Sequence, residues 1–177
     1  MASLFGHGLV GYTFSKLVDQ KKNRVLLVIA IISAILPDID VLAFHFGIPY
    51  LHPLGHRGFT HSIVFALLWA FVLSFVFRKG RQLISGLIIF MSTISHGVLD
   101  ACTTGGKGVG FLVPFSHERF FFPFQFIKVS PIGVSRFFSE WGIKVLLNEL
   151  KYIALPCFIV LLFSYVLKLK VKMSKNY

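Results

Sequence analysis

Acidic side chains are scarce in this chain: Asp and Glu together number seven, against 18 Lys and Arg over 177 residues. So low a count excludes an acidic solvating tail and makes the place of each carboxylate informative, above all beside an apolar segment. Cysteine is scarcer still, and Cys157 of the pair Cys102 and Cys157 lies inside an apolar run. Two such thiols exclude a disulfide-stapled fold and a Cys-rich zinc module, and no disulfide is expected. Residues 1–30 have neither a basic stretch ahead of their apolar residues nor a small-residue cleavage site, so no cleaved signal peptide is expected. Internal repeats and low-complexity segments are also lacking.

What the chain has in quantity is apolar surface. Hydrophobic residues make up 55% of it and the mean hydropathy is +0.77, above the roughly 45–50% of soluble domains. The expectation is a single all-α domain over residues 1–177, a polytopic helical membrane protein with about four to five membrane helices. The formal charge of +11 would suit a nucleic-acid binder, but the bases punctuate the apolar runs instead of lining an amphipathic face. Lys16, Lys21, Lys22 and Arg24 form one cluster, Arg78, Lys79 and Arg81 a second, and Lys168, Lys170, Lys172 and Lys175 a third. Positive-inside topology explains them, with the basic loops and C-terminus cytoplasmic and no nucleic acid as partner.

The apolar runs at residues 3–18, 25–36, 61–77, 82–100 and 152–167 read as helices. The second ends at Pro37 and would supply only about 18 Å of helix, short of the roughly 30 Å hydrocarbon core. Residues 44–59 read as a loop, punctuated by Gly47, Pro49, Pro53, Gly55 and Gly58, after which Thr60 or Ser62 can cap the third helix. The Gly-rich stretch at 103–110 lacks the spacing of a phosphate loop and reads as a turn. Residues 111–126, with seven phenylalanines around Pro114 and Pro123, suit an aromatic interfacial or re-entrant segment. Residues 135–151 suit a helix lying along the interface.

Chemistry concentrates where two runs meet. Leu36-Pro37-Asp38-Ile39-Asp40 closes the second run, and His52 and His56-Arg57-Gly58-Phe59-Thr60-His61-Ser62 open the third. Carboxylates and imidazoles in one short stretch are the donors that Zn²⁺ or a similar divalent ion takes. His96 and Asp100 stand at i and i+4, on one helical face. Alone they also suit a polar pair that packs helices; with the other donors they read as ligands. Asp38 and Asp40 point to different sides of a turn, so one can bind metal while the other orients a histidine or acts as base. Arg57 suits either a clamp on a carboxylate or an anionic substrate. His7 stands isolated near the N-terminus, and His45, His52 and His117 have no partner spacing. With the basic clusters on one side, His7, Asp38, Asp40, His56, His61, His96 and Asp100 all fall at helix ends on the opposite face.

His7, the Pro37-Asp38-Ile39-Asp40 and His56 to Ser62 segments, His96 with Asp100, and the Gly-rich turn leading to Val113-Pro114-Phe115-Ser116 and Arg119 together resemble the YdjM-type family of bacterial inner-membrane, metal-dependent hydrolases. The same order of motifs is distantly similar to zinc-dependent phospholipase C, although no second His-x-x-x-Glu pair occurs here. The resemblance implies the bacterial inner membrane and an all-helical metal-dependent hydrolase, with one or two divalent ions, zinc first among them. Its metal ligands would be His7, Asp38, His56, His61, His96 and Asp100. Asp40 would be base or support, and Arg57 or Arg119 would face charge developing in the transition state. The expected substrate is a phosphoester in a membrane lipid or lipid-linked molecule, reached past an aromatic lip at residues 111–126. The rival reading is a non-catalytic membrane protein, a metal-ion carrier or structural partner, using the same cluster.

Overall fold

The computed structural model describes residues 1–19, 21, 23–131 and 134–174; Lys22 and Lys175 of the basic clusters, and the side chain of Lys172, lie outside the described residues. Helix α1, Leu4–Val18, begins where the Ser3 hydroxyl accepts the Gly6 N–H at 3.2 Å. It ends at Asp19, whose carboxylate accepts the N–H groups of Lys21 and Asn23 and so closes a short connection. Asn23 then caps α2, Arg24–Ile35, by accepting from Val25 and Leu26.

The second span does not stop at Pro37 as expected. It tightens into a 3₁₀ helix, Leu36–Phe46, with Pro37 in its first turn, where a fixed φ is tolerated. At 1.5 Å and then 2.0 Å per residue the 23 residues of Arg24–Phe46 run to about 40 Å, ample for a bilayer. The three-residue period shows in burial: Ile39, Leu42 and His45 form one exposed stripe, while Pro37 and Asp40 face inward.

Gly47, at φ 71°, ends this segment. Turns lead to a short 3₁₀ helix, Phe59–His61, and Ser62, not Thr60, caps α3, Ile63–Ser74, by accepting the Phe65 N–H at 3.1 Å. Helix α4 is Gln82–Ala101. Residues 102–131 form no helix or strand and are held by isolated bridges, Thr103 with Ile127 and Val109 with Phe120. After the single turn α5, Val134–Phe137, comes α6, Glu140–Glu149, which passes through a π-helical turn, Leu150–Ala154, into α7, Leu155–Ser174. A separate interfacial helix at 135–151 is therefore replaced by one continuous helix, Glu140–Val171. In the π turn the Leu155 N–H reaches back to the Leu150 carbonyl, resetting the register just before Pro156, which has no N–H to donate.

Among the described residues, Arg24–Phe46, Gln82–Ala101 and Glu140–Val171 are long and apolar enough to cross a membrane, and α1 and α3 are shorter. The chain is all-α: α1 packs on α2, α2 on α4, α4 on both α1 and α3, and α7 on α1. Leu26 and Ala30, Ala70, and Ile88 and Ile89 form the core between α2, α3 and α4. Small residues bring α1 and α2 together, since a Cβ on Gly11 would stand 2.6 Å from the Ala30 carbonyl oxygen and 2.8 Å from the Ala34 Cβ. Because neighbours are antiparallel, the start of α1, the end of α2, the start of α3 and the end of α4 share one end of the bundle.

Candidate metal centre

Four donors from three chain segments converge at that end. Asp38 comes from the first 3₁₀ turn, His61 from the turn before α3, and His96 and Asp100 from the last two turns of α4; one ligand atom from each lies within 4.8 Å of the other three. His96 Nε2 is 3.2 Å from Asp38 Oδ1, and His61 Nε2 is 3.6 Å from Asp100 Oδ2 and 3.9 Å from Asp38 Oδ1. Bonds of about 2.0–2.2 Å in a tetrahedral site put ligand atoms roughly 3.3–3.6 Å apart, close to these separations. His61 Nε2, His96 Nε2, and Asp38 Oδ1 and Oδ2 are all buried and make no hydrogen bond, while Asp100 Oδ2 is ion-paired to Arg57 Nε at 3.0 Å. Buried polar atoms are ordinarily paired, so this group has the donors and the vacant lone pairs of a site that could hold a metal ion.

Charge leads to the same conclusion. Asp38, Asp40 and Asp100 are buried with Arg57, and the Met1 ammonium lies 3.7 Å from Asp100 Oδ1, so with neutral imidazoles one negative charge is left over, which a bound cation would offset. Without one, burial pulls the His61 imidazole down, but the carboxylates of Asp100 and Asp40 outweigh burial and push it up to about 9.

The far nitrogens of both histidines are fixed. His96 Nδ1 lies 2.7 Å from the Ala34 carbonyl, the acceptor to which Pro37, lacking an N–H, cannot donate in the 3₁₀ pattern. His61 Nδ1 lies 3.1 Å from Asp40 Oδ2. Such partners orient an imidazole so that Nε2 faces the ion.

Asp40 supports several groups at once. Its Oδ1 is 2.6 Å from His56 Nδ1, and its Oδ2 accepts the Thr60 hydroxyl at 2.7 Å and the Arg57 N–H at 3.0 Å as well as facing His61. With both oxygens engaged, it positions its neighbours, and with Asp38 and His56 it forms a second buried group that could hold a metal ion. His56 stands behind Asp40, edge-on to His61 at 5.8 Å between ring centroids. His7 stands beside the four: its ring stacks on His96 at 3.7 Å, Nε2 is 3.5 Å from Asp100 Oδ1, and neither nitrogen has a hydrogen-bond partner.

Arg57 is 1% exposed and clamps Asp100. Its Nε lies 3.0 Å from Asp100 Oδ2, while its other nitrogens donate to the Gly105 carbonyl at 3.0 Å and the Thr103 hydroxyl at 3.1 Å. The Gly-rich turn is thus a cradle for a guanidinium: a Cβ on Gly106, at φ +94°, would meet Arg57 at 2.5 Å. The Arg57 backbone is itself in the left-handed region at φ 61°, a strained position for a side-chain-bearing residue, held by bonds to Asp40 and from the Gly110 N–H. Arg119 donates to the carbonyls of His56, Tyr50 and His52, pinning the loop. His45, His52 and His117 are exposed, and Cys102 and Cys157 are free thiols packed beside the Ile127 and Ile153 cluster.

Sequence reasoning passed over three supports. Thr60 and Thr103 bind Asp40 and Arg57, and the Ala2 N–H donates to Asp100 Oδ1 at 2.9 Å. A threonine beside a ligand histidine, as in Thr60-His61, is the only one of these with a local signal. Glu149 is the fourth buried carboxylate near this end and accepts from the N–H and hydroxyl of Ser3, tying the long C-terminal helix to the start of α1.

The model of the YdjM inner membrane protein family matches residues 1–173, which include every residue of the centre. Inner membrane protein YbcI of Escherichia coli (strain K12) is 48% identical over 136 residues, covering 74% of this chain and 78% of that protein. No solved structure matches. The likeness to a named inner membrane protein agrees with the three long apolar helices, and on the near full-length match the chain belongs to the YdjM inner membrane protein family.

Proposed function

We propose that this protein is a membrane-embedded, metal-dependent hydrolase acting on a phosphoester of a lipid or lipid-linked molecule. The observation that carries this reading is the set of buried atoms that Asp38, His61, His96 and Asp100 turn toward one another. A divalent ion held by them, zinc being the first expectation from a mixed imidazole and carboxylate set, would supply Lewis acidity and an activated water. The chain's own groups do the rest. Asp40 and the Ala34 carbonyl fix the imidazoles, Arg57 fixes Asp100, and His7, uncommitted at both nitrogens, is the group placed to take a proton.

Two measurements on detergent-purified protein test this reading. Metal analysis should find a divalent ion in the wild type and little in His61→Ala. Hydrolysis of a chromogenic phosphodiester should need added divalent metal and vanish in the variant. Metal bound equally by both proteins would remove the site. Metal lost without any metal-dependent hydrolysis by the wild type would instead leave a structural or transport role.

A further inference from the structure

Two apolar cavities border the candidate metal centre, and both are lined in part by Asp38. One, of about 400 Å³, lies between the start of α1 and the α5 turn and is lined by Leu4, Phe5, Val41, Pro131, Phe137 and Phe138 as well as Asp38. The other, of about 340 Å³, lies between α1 and the α2 junction, lined by Leu4, Ile32, Ile35, Leu36 and Ile39 with Asp38. Leu4 belongs to both and divides them. Each falls in the size range of small-molecule pockets.

We propose that this cleft takes an acyl chain of a membrane lipid and so brings the lipid's polar end to the centre; the idea rests on the hydrolase reading. Three observations favour that occupant. The mouths open among Phe5, Ile32 and Ile39, which are more than half exposed on a bundle whose outer surface is apolar, so bilayer lipid is what they meet. Asp38 is the charged side chain in both linings, joined in the first by Ser3 and Ser130: its side chain is 6% exposed, and neither carboxylate oxygen has a hydrogen-bond partner. Residues three apart eclipse in a 3₁₀ helix, so Val41 stands directly beyond Asp38 and continues one wall from the centre toward lipid.

This route differs from the aromatic lip expected at residues 111–126. Phe111, Phe120, Phe121 and Phe122 instead line a separate groove with Ile63 and Val98 on the α3 and α4 side, and none of the four metal-facing residues borders it.

Native mass spectrometry of protein released from nanodiscs of phosphatidylethanolamine and phosphatidylglycerol, with EDTA present to stop turnover, reads occupancy directly. Wild type should retain one phospholipid. Val41→Trp combined with Ile39→Trp, which obstructs both cavities, should lower that occupancy by about tenfold, and Ile63→Trp, on the aromatic groove, should not. Leu4→Trp blocks the cleft from the opposite wall and serves if the double variant does not fold. No retained lipid in the wild type, or equal retention in cleft and groove variants, would overturn the proposal. The readout needs neither ion nor activity, so such a result would leave the metal reading standing, and loss of the metal reading would not by itself empty the cleft.

Discussion

The two ends of the helical bundle use charge in opposite ways. At one end Asp38, Asp40, His56, Arg57, His61, His96 and Asp100 are all buried and linked through one another, with the remaining lone pairs turned to a common gap. At the other, Lys16, Lys21, Arg24, Arg78 and Lys79 are exposed or half-exposed. The polar link there is Arg81 to Asp19, which ties the α1–α2 connection to the turn before α4. Charges of the second kind cost little to place and set orientation. Those of the first kind are costly unless paired, and here the donors are grouped where a metal ion could add to the pairing. The difference marks which end could hold a metal ion.

The contrast breaks most completely if the two ends do not lie on opposite sides of the membrane. Reporter fusions at Gln82 should report cytoplasm and one at Gly47 the outer side; the same side for both would end it. Next in size is Asp100→Ala. It removes a metal-facing oxygen and strands Arg57, so it should abolish metal binding and lower stability by about 3–5 kcal/mol, read by metal analysis and thermal unfolding in detergent. Asp40→Asn touches only the support of His61 and should weaken metal affinity about 10–100-fold without abolishing it, measured by competition with a chelator. An unchanged affinity would detach Asp40 from the centre. Smallest is Arg78→Gln at the opposite end, an exposed side chain, expected to change stability by no more than about 0.5 kcal/mol with metal content unaltered. A loss of metal there would show that the ends are coupled through the bundle.

Several features were legible in the residue order because they are local. Apolar runs about 20 residues long read as membrane helices. His96 and Asp100 at i and i+4 must share a helical face, and basic clusters between runs alternate the helix ends. The Pro37-Asp38-Ile39-Asp40 segment was readable as a donor cluster. Its backbone was not, since proline usually ends an α-helix and the change to 3₁₀ pairing depends on the packing of Pro37 and Asp40 against the bundle. Likewise the separate helices expected around residue 151 merge because a π turn absorbs Pro156, a solution no propensity announces.

By itself, then, the sequence determined that this protein is a helical membrane protein with a shared set of imidazole and carboxylate donors, because hydrophobic periodicity and donor type are properties of the residues. The tertiary structure alone decided how the donors group, Asp38 with His61, His96 and Asp100, and Asp38 again with Asp40 and His56. Asp38 and Asp40 are two residues apart with identical side chains. One keeps both oxygens unpaired beside His61 and His96, and the other spends its oxygens on His56, His61, Thr60 and the Arg57 N–H. That division comes from the direction each side chain takes off a 3₁₀ helix against three other segments, and a pattern of residue types contains no directions.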